Sequence, residues 1–225
     1  MMQEKSVYDV NVAGIESALS VNKVLRNTYM LLAMTLTFSA VCAGISMAIN
    51  LPPGAALIFM LIGFGLLFVV NRLADTSKGI LAIFAFTGVM GASIGPMLNA
   101  YMAMPGGPSL VMQALAGTAL VFFTLSAYVL TSKKDFSFLG GFLMTGLIIM
   151  IVASIASLFL KIAALQLTIS SGIVLIMSGL ILYDTSRIIN GGETNYIRAT
   201  VSLYLNIYNI FIHLLHLLTA FGGDD

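Results

Sequence analysis

Charge is what this sequence most conspicuously lacks. Of 225 residues only 8% are Asp, Glu, Lys or Arg, whereas soluble domains carry about 25%. With 59% hydrophobic residues and a mean hydropathy of +1.03, there is too little polar surface to coat a water-facing globule. Cysteine occurs once, as Cys42, which excludes an intramolecular disulfide and leaves the redox compartment unread. The formal net charge is +1 and no basic cluster exists, which argues against nucleic acid as a partner. Acidic residues are missing from the interiors of the apolar segments, with Asp184 alone at the edge of one. That absence argues against a metal centre and against a pair of carboxylates sharing a proton, as an intramembrane aspartyl protease needs. Neither a Walker loop nor an HExxH pattern occurs.

Long apolar runs are present instead. Seven segments, at about 28–49, 54–71, 79–101, 109–130, 138–160, 163–186 and 197–221, each approach the roughly 20 residues that cross a hydrocarbon core. The fold class is therefore an all-α membrane protein with seven transmembrane helices. "SAVCAG" around Cys42 faintly matches a cleavage site, but the residues before it and the six segments after it identify a first membrane helix. The connections are short, and Pro and Gly mark the turns. Residues 1–27 read as a polar tail outside the bilayer, residues 28–221 as the transmembrane domain and residues 222–225 as a short acidic end.

Lys5, Lys23, Arg26, Arg72, Lys78, Lys133, Lys134, Arg187 and Arg198 fall on one side of these spans, and Lys161 alone on the other. Basic residues mark the cytoplasmic face, so the N-terminus is expected inside and, after seven spans, the C-terminus outside. A re-entrant seventh segment would return the C-terminus to the inside with almost the same charge bias.

The run "SLYLNIYNIFIHLLHLL" (202–218) draws a polar line on a greasy helix. At about 100° per residue, Ser202, Asn206, Asn209, His213 and His216 share one stripe, with Tyr204 and Tyr208 opposite. Such a helix belongs in the centre of a bundle, its stripe facing other helices through hydrogen bonds or lining a wet cavity; both readings stand. Asp184, in "ILYDTSR", is costly in hydrocarbon when ionised and must face protein or water, or be neutral. It either pairs with Arg187 or reaches the surface, or it lines an ion path. The hairpin through "RIINGGETNY" brings Asp184 level with Asn206, and Arg72 is placed to join them. His213 and His216, spaced i, i+3, suit a metal, but no third ligand lies at their depth, so hydrogen bonding is the expectation. "GASIG" (91–95) is a GxxxG spacing that permits close helix approach, with Pro96 expected to kink the third helix. It also matches G-x-S-x-G, which would pair Ser93 with a histidine in a serine protease. That elbow requires a strand-to-helix turn, absent from a membrane helix.

At "MGASIGPMLNAY" and "ILYDTSRIINGGETNYIRATVSLYLNIYNIF", and in its seven-span plan, the chain resembles the Bax inhibitor-1 family over about residues 20–221. It looks most like the bacterial branch described as modulators of the membrane protease FtsH. The resemblance implies six helices around a central seventh. It also implies a multi-pass protein of the bacterial inner membrane, non-enzymatic and without a cofactor, whose partners are the lipid bilayer and an FtsH-type protease complex. The family is further associated with a pH-sensitive calcium leak through two aspartates, which implies Asp184 at a cytosolic gate as the alternative role, with calcium or protons as the permeant species. Asp184 matches the first aspartate, but "LYLN" stands where "LYLD" is expected, so the second position is Asn206. An amide does not titrate, which shifts weight toward the protease-modulator role.

Overall fold

Inside a bilayer no water satisfies backbone N–H and C=O groups, so an apolar run must satisfy them internally, as a helix. A computed structural model describes the backbone of residues 2–222 and the side chains of residues 19–222. The helices are α1 (Met2–Ala48), α2 (Pro53–Leu73), α3 (Lys78–Met102), α4 (Gly107–Ser132), α5 (Gly140–Leu160, preceded by a 3-10 turn at Ser137–Leu139), α6 (Ala163–Ile189) and α7 (Tyr196–Gly222). All seven contain stretches long and apolar enough to cross a membrane, and no strand occurs among the described residues. Six of the expected spans agree with these helices to within three residues. The first differs at its start, because α1 passes through residue 27 without a break. The expected acidic end lies outside the described residues from 223 onward.

Turn chemistry separates the helices. Proline opens α2, and Gly106 takes a left-handed φ of 68° just before α4. Lys133 and Lys161, at φ 53° and 50°, end α4 and α5 in the same left-handed region, their N–H groups bonding back to Val129 and Ser157. A left-handed residue at this position satisfies a terminal carbonyl that the helix itself leaves open.

Helix α7 is the core. No residue between Asn195 and Thr219 is exposed, whereas α2 buries only Gly63 and Val70, and α5 only Leu143 and Ser157. Helices α1, α2, α3, α4 and α6 all touch α7. Five helices, not the expected six, contact the central seventh, because α5 packs on α6 and does not reach α7 among the described residues. The outer faces carry exposed Phe64, Phe68, Phe142 and Phe159, an apolar surface suited to a bilayer.

The GxxxG spacing works as expected. A Cβ built on Gly91 would lie 2.2 Å from the Ser39 carbonyl oxygen, and one on Gly95 2.1 Å from Ser46 Oγ, so α1 and α3 meet backbone to backbone. Pro96 lies buried inside α3. Having no N–H, it leaves the Ala92 carbonyl without its intrahelical donor. Ser46 Oγ of α1 donates to that carbonyl at 2.8 Å and replaces the lost bond.

The loop between α4 and α5 is tied to α6. Phe136 N–H donates to Ser186 Oγ (2.8 Å), and Asp135 accepts from Ser137 N–H (2.8 Å) and Ser186 Oγ (3.3 Å). Hydrogen bonds from the Ser137 side chain and backbone hold the Asp135 carboxyl below the usual carboxylate range, opposed by some desolvation and aided by Ser186. A depressed carboxyl contributes stability that is complete above its unfolded value and is lost as pH falls through the folded one. The Ser137 amide resonance should therefore shift between about pH 5 and pH 2, a range that brackets the ordinary aspartate value and extends below it. Asp135→Asn should abolish that shift, and an unchanged titration in the variant would assign it elsewhere.

Candidate functional site: the polar seam of the central helix

The start of α7 is locked before its stripe begins. Asn195 Oδ1 accepts from the N–H groups of Ile197 (2.9 Å) and Arg198 (3.1 Å), the geometry of an N-cap. Its Nδ2 donates to Ala74 O (2.9 Å) and Asp75 Oδ1 (2.8 Å), and Arg198 pairs with Asp75. These contacts clamp the α2–α3 connection onto the α6–α7 connection. Sequence reading missed this clamp, whose only signal was an asparagine three residues before the arginine at a helix start.

Just inside it, Asn206 is buried and donates from Nδ2 to Asp184 Oδ2 at 2.8 Å. The hairpin therefore brings together the two residues that the sequence placed at one depth. Arg72 does not join them: it is exposed at the end of α2 and makes no hydrogen bond or ion pair among the described residues. Arg187 does not pair with Asp184 either. It donates to Gly192 O (2.8 Å), approaches Glu193 (3.9 Å) and lies over the Tyr183 ring. Arg187 lies in the last turn of α6, where its side chain reaches the α6–α7 loop.

Further along the stripe, Asn209 donates to Leu205 O of its own helix at 2.8 Å, so it serves α7 rather than a neighbour. His213 and His216 converge on one hydroxyl, their Nδ1 atoms 3.1 and 2.9 Å from Ser170 Oγ of α6. One hydroxyl proton can serve only one ring nitrogen. At least one ring must therefore donate its own Nδ1–H to that oxygen, which has two lone pairs to accept it. The histidines are hydrogen-bonded, and no group of three or more His, Cys, Asp or Glu with metal-binding geometry exists among the described residues.

The opposite face is just as specific. Tyr204 OH lies 2.8 Å from Ser39 Oγ and 3.4 Å from Thr87 O, and Tyr208 OH lies 3.0 Å from Ser93 Oγ and 3.4 Å from Met90 O. Ser93 thus partners a tyrosine, and both histidines are engaged elsewhere, so no serine–histidine pair forms at "GASIG". The two tyrosine rings stack at 5.9 Å, and Phe86 meets Tyr204 edge-on. Sequence reading placed these tyrosines away from the stripe but assigned them no partner, because Ser39 and Ser93 are ordinary small residues in membrane helices.

The class defined by this architecture is a seven-helix, multi-pass membrane protein with a hydrogen-bonded central helix. Residues 21–223 match the family model described as inhibitor of apoptosis-promoting Bax1, and the chain belongs to the Bax inhibitor-1 family. It is 54% identical over 211 residues to a protein of Escherichia coli K12 named modulator of FtsH protease YccA, covering 93% of this chain and 94% of that one. A membrane protein of Vibrio cholerae is 50% identical, covering 95% and 96%, and a protein of Pseudomonas aeruginosa is 49% identical over the full length of both.

Proposed function

We propose that this protein is a non-enzymatic component of the bacterial inner membrane that binds an FtsH-type protease complex and modulates it. The observation that carries the reading is the 54% identity, over nearly the whole of both chains, to the relative named modulator of FtsH protease. The site chemistry agrees with it. The central helix spends its polar groups on hydrogen bonds to its neighbours, as in a scaffold, and at the depth of Asp184 the facing group is an amide. A leak gated by two carboxylates is not favoured with asparagine at 206. The handle for the protease is the polar N-terminal segment, which adjoins the face bearing nine of the ten basic residues.

The test is affinity purification of the tagged full-length chain from gently solubilised membranes. The FtsH-type protease is expected in the eluate, and its absence would overturn the reading. A chain lacking residues 2–18 retains Leu19–Ala48, a stretch long and apolar enough to cross a membrane, and should stay monodisperse but lose the protease. If the shortened chain retains it, the handle lies elsewhere while the association stands. Orientation is tested separately. A reporter fused after Asp225 should respond as an external one, and a cytoplasmic signal there would mean that the seventh segment is re-entrant.

A further inference from the structure

Helices α1 and α4 both pack on α7 but not on each other. Between them runs a crevice of about 500 Å³, open to the side, with Leu36 and Ala40 on one wall, Leu115 and Ala119 on the other, and Ile207 and Phe211 as floor. On α1 it extends from Tyr29 to Met47, a rise of about 27 Å at 1.5 Å per residue, nearly the full thickness of a hydrocarbon core. A trough this long and narrow, running along the bilayer normal between two helices, accommodates an extended hydrocarbon chain.

The polar groups along the crevice are distributed unevenly. The hydroxyls of Ser39, Thr118, Tyr204 and Tyr208 are all hydrogen-bonded within the protein. Tyr29 OH, at one end, is buried with no partner, and so is Ser126 Oγ, one turn beyond Phe122 on α4. That end is the basic one. Arg26 lies one turn before Tyr29 on the same face of α1, exposed and unpaired among the described residues, with Lys23 a turn further and Lys133 ending α4. No acid lies between residues 19 and 48 of α1 or anywhere in α4.

An apolar trough ending in an unpartnered hydroxyl, with cations beyond it, matches one class of membrane molecule. We propose that the crevice binds an acyl chain of an anionic glycerophospholipid. The phosphate meets Arg26, and an ester oxygen accepts from Tyr29. Lipid tails alone are as apolar as the walls and would not select the site. Selection comes from the polar end, where one cation near an anionic headgroup is worth about a fivefold preference.

The test is native mass spectrometry of the full-length chain in detergent with equimolar phosphatidylglycerol or phosphatidylcholine. A one-lipid adduct is expected, about fivefold more abundant with phosphatidylglycerol. Arg26→Gln should remove that preference. Gly44 borders the crevice, and a Cβ added there would meet nothing within 4 Å, so Gly44→Leu should fill the crevice without strain and suppress both adducts. Gly65→Leu, equally unobstructed but on α2, should leave them unchanged. If Gly44→Leu does not fold, Ala119→Phe fills the same space. Equal adducts with the two lipids in the parent chain would overturn the proposal. So would adducts that survive both crevice-filling variants, or a Gly65→Leu variant that suppresses them as well. A stoichiometric protein helix in place of lipid would also overturn it.

Discussion

Gly91→Ala should cost this protein much of its folded population. The added methyl group would sit 2.2 Å from the Ser39 carbonyl oxygen and 2.8 Å from its carbonyl carbon, and these are backbone atoms that cannot rotate aside. Helix α1 must retreat from α3. The Ser39–Tyr204 and Ser46–Ala92 hydrogen bonds span this interface or its extension to α7, so they weaken together. Overpacking costs about 1–3 kcal/mol where side chains can adjust, and this site belongs at or above the upper end. For a chain of this size about 3 kcal/mol corresponds to roughly 6–12 °C in thermal midpoint. Gly65→Ala is the control: its methyl group meets nothing within 4 Å, and alanine is the better helix former, so the midpoint should hold or rise. Equal midpoints for the two variants, measured in detergent, would show that α1 and α3 are not held at backbone contact.

The second large effect concerns Asn206. Asn206→Leu should remove the donor from Asp184 and leave a carboxylate facing an apolar side chain in the α6–α7 seam. A hydrogen bond to a charged group contributes about 1.5–3 kcal/mol, and that is the expected loss at neutral pH. The double variant Asp184→Leu/Asn206→Leu should recover most of it, because replacing both partners by apolar groups removes the stranded charge. Asn206→Asp should behave differently again. Two carboxylates at hydrogen-bonding distance share one proton, so this variant should melt near the parent at low pH and fall progressively below it as that proton leaves. Midpoints from about pH 5 to pH 8 span the range in which coupled carboxylates titrate. Parallel profiles for the parent and Asn206→Asp would show that positions 184 and 206 are uncoupled and would remove the hydrogen bond as an explanation of the seam.

The sequence carried the seven spans, their connections and the stripe on α7 because each follows from a short-range rule. Hydrocarbon demands about 20 apolar residues per crossing, Pro and Gly cannot continue a helix cheaply, and a 3.6-residue period fixes which side chains share a face. The glycine spacing at 91 and 95 was legible in the same way. What local rules do not contain is the rotation and axial stagger of one helix against another. Those are set by how whole surfaces interlock, and they decided every partner in the seam. Ser170, forty-three residues before His213, became the hydroxyl both histidines share. Arg187 turned to the loop instead of to Asp184, Arg72 stayed outside, and Ser93 met Tyr208. The failure of α1 and α4 to close over α7 has the same origin. Both helices are greasy enough to pack, but α1 is held close to α3 by glycines and α4 leans on α6 and α7, so the lipid-facing crevice between them is a property of the assembled bundle alone.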